Sequence, residues 1–146
     1  SGLNDGAAAI VLGTQDASNA LGLKIRAKVL GYAHSGVRPE VMGIGPIIAV
    51  ENLLKKTGLS IKDFDVIESN EAFAAQACAV MRRLNLDPKI VNPNGGAIAL
   101  GHPIGATGAI LVIKAIHELE RSDGTLGLIT MCIGGGQGIA LAIERR

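Results

Sequence analysis

Twenty of the 146 residues are glycine, aromatic side chains make up only 2%, and tryptophan is absent. A core with so few rings must gain its density from close approach of backbones and from small aliphatic side chains. That requirement favours layered α/β packing, in which helices lie flat on a sheet. At this length, with 48% hydrophobic residues, the chain supports one compact domain spanning residues 1–146 and is too short for two ordinary ones.

Charge excludes several classes of partner. Lys and Arg total 14 and Asp and Glu 13, a formal charge of +1, so no broad field exists to hold a polyanion, and nucleic acid is not expected. Apolar runs fall short of the roughly 20 residues needed to cross a bilayer, and no basic segment with an apolar stretch and cleavage site opens the chain. A soluble, cytoplasmic protein with no membrane partner is expected. Cys78 and Cys132 are the only cysteines. Neither belongs to a CxxC pair, so neither a disulfide framework nor a metal site is expected, and a reducing compartment suffices. The chain opens on Ser1-Gly2-Leu3-Asn4-Asp5-Gly6 without Met and runs at once into an apolar segment, which suggests a processed or excised fragment.

Periodicity lays out the elements. Ala7–Leu12 reads as a strand buried on both faces, and Ala27–Tyr32 as a second strand. After a loop rich in glycine, Pro46 begins a helix carrying Ile47, Val50 and Leu54 at helical spacing, and Gly58 ends it. Asp65–Glu68 is a short strand, and Asn70 can cap the following helix, whose face is Phe73, Ala77, Val80, Met81 and Leu84. Cys78 lies within that helix and reads as core. The turn-rich segment from Asn92 to Gly108 precedes an apolar helix over about Ala109–Glu120. Strands Leu126–Cys132 and Ile139–Ile143, joined through a run of three glycines, read as an antiparallel return. The sum is an α/β domain with a mixed five-stranded sheet covered by helices.

Asn70, His102 and Cys132 fall at element boundaries beside glycine-rich or turn-like backbone, where a rigid sheet commonly gathers functional groups. A thiol beside an imidazole can act as nucleophile or base, and imidazole and amide N–H groups can stabilise an oxyanion. Each residue also has a structural reading: Cys132 as a buried strand end, His102 as a capping or solvated loop residue, Asn70 as a helix N-cap. The glycines after Cys132 either leave backbone N–H groups open to a ligand or simply build a tight hairpin. His34 and His117 carry no chemical role, the latter sitting late in a helix where a cation suits the dipole. Neither GxxxxGK[ST] nor GxGxxG occurs.

Taken together, Asn70-Glu71-Ala72-Phe73-Ala74, the run Gly95-Gly96-Ala97-Ile98-Ala99-Leu100-Gly101-His102-Pro103-Ile104-Gly105-Ala106-Thr107-Gly108 and Cys132-Ile133-Gly134-Gly135-Gly136-Gln137-Gly138 resemble the three C-terminal signatures of thiolases, in order and in spacing. Ser1–Ala8 and Met42-Gly43-Ile44-Gly45-Pro46 match further segments, so the resemblance spans nearly the whole chain. It implies the C-terminal half of a layered thiolase-like fold, of the acetyl-CoA acetyltransferase and 3-ketoacyl-CoA thiolase kind. It further implies that Cys132 is the acid/base thiol acting on the α-carbon of the acyl-CoA. His102 would activate the nucleophilic cysteine and donate to the thioester oxygen, Asn70 would position a water beside His102, and the Gly134 backbone N–H would serve the acyl-enzyme oxyanion. Ser1 would lie near the pantetheine arm, and Met42, Ala72 and Phe73 would line the acyl pocket. Coenzyme A thioesters are the implied substrates, with no covalently bound cofactor.

The family's acyl-accepting cysteine belongs to its N-terminal half, and neither Cys78 nor Cys132 matches that motif. The chain alone is therefore expected to be inactive and to bind coenzyme A weakly. Its implied partners are an N-terminal thiolase half and, once complete, further copies of itself, because family members are commonly dimers or tetramers. The competing reading is a non-catalytic interaction module that keeps the half-fold. It leaves the set Asn70, His102 and Cys132 without a physical purpose.

Overall fold

A computed structural model describes residues 2–146. Its sheet has the order β1-β4-β3-β2, built from β1 (Ala27–Gly36), β2 (Val66–Ser69), β3 (Leu126–Ile133) and β4 (Gln137–Arg145). β2 and β3 are parallel, whereas β3 with β4 and β4 with β1 are antiparallel. The sheet is mixed, as the sequence pattern requires, and all four residues of β2 are buried.

Alternation along the strands divides the core in two. Leu128, Ala140 and Ala142 face Ala49, Val50 and Leu53 of α2 (Gly45–Thr57). Ile129 and Ile143 face Leu111, Ala115 and Leu119 of α5 (Thr107–Ser122). Completely buried leucines and isoleucines such as Leu53, Ile67, Leu119 and Leu128 each contribute about 1.5–3 kcal/mol from burial. α2 begins with Pro46 in its first turn and stops at Gly58, whose φ of 74° and N–H bond to the Leu54 carbonyl complete the C-cap. α3 (Ala74–Leu84) lies beside α2 and ends at Asn85 in the left-handed region. Two short helices, α1 (Gln15–Ala20) and α4 (Ala97–Leu100), complete the set.

Three expectations are corrected. Ala7–Leu12 is not a strand, so the sheet has four strands among the described residues rather than five; Val11 and Leu12 are more than four-fifths exposed. An apolar segment becomes a buried strand only when neighbouring strands accept its hydrogen bonds and layers cover its faces, and this one meets neither among the described residues. Cys78 lies on the exposed side of α3 rather than in the core, because Gln76 and Val80 take the inward positions. The N-cap of α3 is Phe73, not Asn70, and Asn70 is buried instead.

Glycine is required where backbones touch. A Cβ at Gly138 would strike the carbonyl of Gly45, and one at Gly45 would strike the backbone of Gln137 and Gly138. Ser35 Oγ also donates to the Gly45 carbonyl at 2.8 Å. These contacts press the 3-10 turn Pro39–Ile44, which carries Met42, against the β3–β4 hairpin.

Candidate functional site

Parallel pairing brings the C-terminal ends of β2 and β3 to one edge of the sheet, the place where α/β folds collect ligand-binding groups. Ser69 pairs with Thr130, and the Asn70 N–H donates to the Thr130 carbonyl at 2.9 Å. Asn70 therefore leaves β2 beside the end of β3, where Cys132 stands two residues further on.

A second segment reaches the same edge from α5. His102 and Asn70 are joined by a 3.4 Å contact between Nε2 and Nδ2, and His102 Nδ1 lies 2.6 Å from Thr107 Oγ1 in the first turn of α5. The backbone N–H of His102 donates to Asn4 Oδ1 at 2.8 Å. Asn70 is 1% exposed, and its Oδ1 has no hydrogen-bond partner among the described residues. A buried acceptor left so is costly unless a substrate or water supplies a donor.

Cys132 is buried at the end of β3, opposite Gly138. Burial pushes its thiol above the ordinary cysteine range, a backbone hydrogen bond pulling weakly the other way. A thiol in that state is held protonated and becomes a strong base once ionised.

The three glycines after Cys132 and Ile133 have separate reasons. Gly135 and Gly136 adopt φ of 81° and 88°, and Gly136 also accepts a 2.6 Å bond from Val37 N–H. Gly134 has no positive φ, and a Cβ there would meet nothing within 4 Å. The hairpin does not need glycine at 134, which leaves backbone access as the distinguishing property of that position.

Beside His102 runs an open cleft of about 570 Å³ lined by Asn4, Glu71, Ala72, Phe73, Ile98 and Leu100 among others. Of the expected pocket residues, Ala72 and Phe73 line it, and Phe73 is 48% exposed. Met42 is half-buried on its 3-10 turn and is not part of this lining, and Ser1 lies outside the described residues. His34 is exposed on β1 and His117 is exposed with its ring nitrogens near Arg26 Nη2, and neither lines this cleft.

The sequence reading missed the residues that hold the site together. Glu71 accepts from Asn92 Nδ2 and from the Ile98 N–H, both at 3.1 Å. Asn92 also bonds both the N–H and the carbonyl of Ser69, at 2.9 and 2.8 Å. Lys114, on α5, donates to Glu68 Oε2 at 2.7 Å and to the Gly95 carbonyl at 2.5 Å. Together they lock the turn after β2 to the loop that presents His102. Among the described residues no cluster of His, Cys, Asp and Glu could hold a metal ion, and no helix is long and apolar enough to cross a membrane.

Comparison with known proteins agrees with this arrangement. Residues 23–145 match the family model described as "Thiolase, C-terminal domain". The chain is 61% identical to the beta-ketoadipyl-CoA thiolase of Pseudomonas knackmussii, over 99% of this chain and 37% of that protein. It is 58% identical to the beta-ketothiolase BktB of Cupriavidus necator, with the same two coverages. The chain thus spans a little over a third of the length of these relatives. The crystal structure of human mitochondrial 3-ketoacyl-CoA thiolase in complex with CoA superposes with a TM-score of 0.89 at 48% identity, covering 91% of this chain and 34% of that one. The matched region, the sheet and the placement of the signature residues together make this chain a member of the thiolase family, corresponding to its C-terminal part.

Proposed function

We propose that this chain, residues 1–146, is the C-terminal domain of an acyl-CoA C-acyltransferase and works with an N-terminal half that carries the acyl-accepting cysteine. The reaction is acyl transfer between acyl-CoAs by Claisen condensation, or the reverse thiolysis of a 3-ketoacyl-CoA, through an acyl-enzyme. Cys132 exchanges the α-proton. His102 takes the proton of the nucleophilic thiol and, carrying it, faces the enolate oxygen. Asn70 orients a water at that oxygen, and the Gly134 N–H stabilises the acyl-enzyme oxyanion. Ser1, Met42, Ala72 and Phe73 contact the pantetheine arm and the acyl group. The complete protein is a cytoplasmic homo-oligomer, and the 146-residue chain alone is inactive and binds coenzyme A weakly.

The observation that carries this reading is the pairing of Asn70 with His102 while the buried Asn70 Oδ1 has no partner among the described residues, at the sheet edge where Cys132 also lies. A structural cap would satisfy that oxygen, whereas an enolate site leaves it for the water it must hold. The raised Cys132 thiol supports the same reading, because an α-proton beside a thioester is taken up only by a strong base.

The test is Cys132→Ser in the complete polypeptide. Turnover should fall to background while incubation with acyl-CoA still adds one acyl mass to the nucleophilic cysteine. Loss of the acyl adduct, with α-proton exchange undiminished, would assign Cys132 the opposite role.

A further inference from the structure

The hydrogen bonds around His102 determine which ring nitrogen carries the proton. Nδ1 lies 2.6 Å from Thr107 Oγ1, and that oxygen lies 2.9 Å from the Pro103 carbonyl oxygen. A carbonyl only accepts, and a threonine hydroxyl has a single hydrogen. The hydroxyl therefore donates to Pro103 and accepts from Nδ1–H. In the neutral ring Nε2 is then a bare acceptor, and it faces the Asn70 amide nitrogen at 3.4 Å, a group that only donates. The reverse arrangement fails on both sides of the ring. It sets Oγ1 and the Pro103 oxygen against each other as two acceptors, and it turns Nε2–H toward the N–H of Asn70. Thr107 is 4% exposed, so water does not readily replace its hydroxyl.

We propose that Thr107 is a positioning residue that holds His102 in the Nδ1–H tautomer, so that Nε2 accepts a proton when the ring is neutral and donates one only when the ring is imidazolium. The tautomer of a histidine is set by the bond its other nitrogen makes. The kinetic consequence rests on the function proposed above. His102 cannot donate to an enolate oxygen until Nε2 has first taken the proton of the nucleophilic thiol. That proton stays on Nε2 while the thiolate displaces coenzyme A thiolate, which is protonated by Cys132. The ionised Cys132 then removes the α-proton, the enolate attacks the acyl-enzyme, and the thiolate it releases recovers its proton from His102. One proton on Nε2 thus links the two half-reactions, and the protons balance.

The test uses this 146-residue chain with 15N-labelled histidine. His34, His102 and His117 are its only histidines, so His34→Gln and His117→Gln assign the spectrum. Two-bond 15N–1H correlations are recorded at about pH 8.5, where an ordinary imidazole is neutral. The wild type and Thr107→Ser should show Nδ1 protonated and Nε2 bare, and Thr107→Val should change the tautomer ratio at least about tenfold toward Nε2–H. A wild-type His102 in the Nε2–H form overturns the proposal whether or not the valine variant folds, and so does a folded valine variant with an unchanged ratio. In the complete enzyme Thr107→Val should lower kcat about 10- to 100-fold with KM little changed, and Thr107→Ser should restore it; equal kcat values would also overturn it. The tautomer is read without substrate, so the two readings fail separately. An Nδ1–H ring together with a complete polypeptide that turns over no acyl-CoA refutes only the catalytic function, and an Nε2–H ring together with an active complete enzyme refutes only the role of Thr107.

Discussion

Lys114→Met isolates the interaction that ties the sheet to the His102 loop. The side chain of Glu68 is 0% exposed and that of Lys114 17% exposed, with 2.7 Å between Oε2 and Nζ. Burial raises the Glu68 carboxyl above its ordinary range; Lys114 pulls it back, and Glu118 and Glu71 push it further up. Methionine keeps most of the stem and removes the charge, so the carboxyl escapes by taking up a proton. Neutralising a carboxyl of ordinary pKa costs about 3.7 kcal/mol at about pH 7 and about 1 kcal/mol at about pH 5. The Gly95 carbonyl also loses its donor, which adds about 1 kcal/mol. The wild type already bears part of the burial cost, so the expected loss at pH 7 is about 3–5 kcal/mol, the range for breaking a buried pair from one side. The sign follows from proton counts. The variant's folded state keeps the proton while its unfolded state releases it above the ordinary carboxyl pKa, so stability falls as pH rises from 5 to 7. Urea titrations at the two pH values measure this directly, with Glu68→Gln/Lys114→Met as the reference that has no carboxyl to neutralise. A loss under about 1 kcal/mol at pH 7, or the same pH slope in the double variant, would refute the reasoning.

Three further outcomes follow from geometry and burial. Gly138→Ala, whose methyl would press on the backbone of Gly45 and Pro46, should lower stability by about 1–3 kcal/mol or more. Gly134→Ala, in open space, should stay within about 0.5 kcal/mol of wild type in the same urea titration. Alkylation by iodoacetamide at neutral pH, followed by peptide mass mapping, should label exposed Cys78 well before Cys132, whose thiol is buried and held protonated. Equal labelling rates in the folded chain would contradict the burial of Cys132.

The three long helices and most strands were legible because their signals are local, whereas the short α1 and α4 were not read. Pro46 and Gly58 bracket α2, and apolar runs mark β3 and β4. Ala7–Leu12 misled for the same reason. Its apolar run is a strand pattern, but strand formation depends on neighbours that no run of six residues encodes. Cys78 misled because a small apolar residue in an amphipathic helix is placed by which face turns inward, and Gln76, a polar residue, turned inward in its place.

In the site, residue type and position at element ends brought Asn70, His102 and Cys132 forward as candidates, each with a structural reading beside it, and the resemblance gave them roles; neither said how they are held. Those bonds span long stretches of chain: Asn92 reaches Ser69 across 23 positions, and Asn4 reaches His102 across 98. Asn70 shows the cost of reading locally. An asparagine after a strand and before a helix is a good N-cap on sequence grounds, but the Thr130 carbonyl draws its backbone into the sheet edge and leaves its amide facing His102. The glycines carry the same ambiguity. Gly45 and Gly138 exist because two backbones meet, Gly135 and Gly136 because φ is positive, and Gly134 for neither reason. All five look alike in the sequence, and only the spatial requirement separates those that build the hairpin from the one whose bareness is free to serve chemistry.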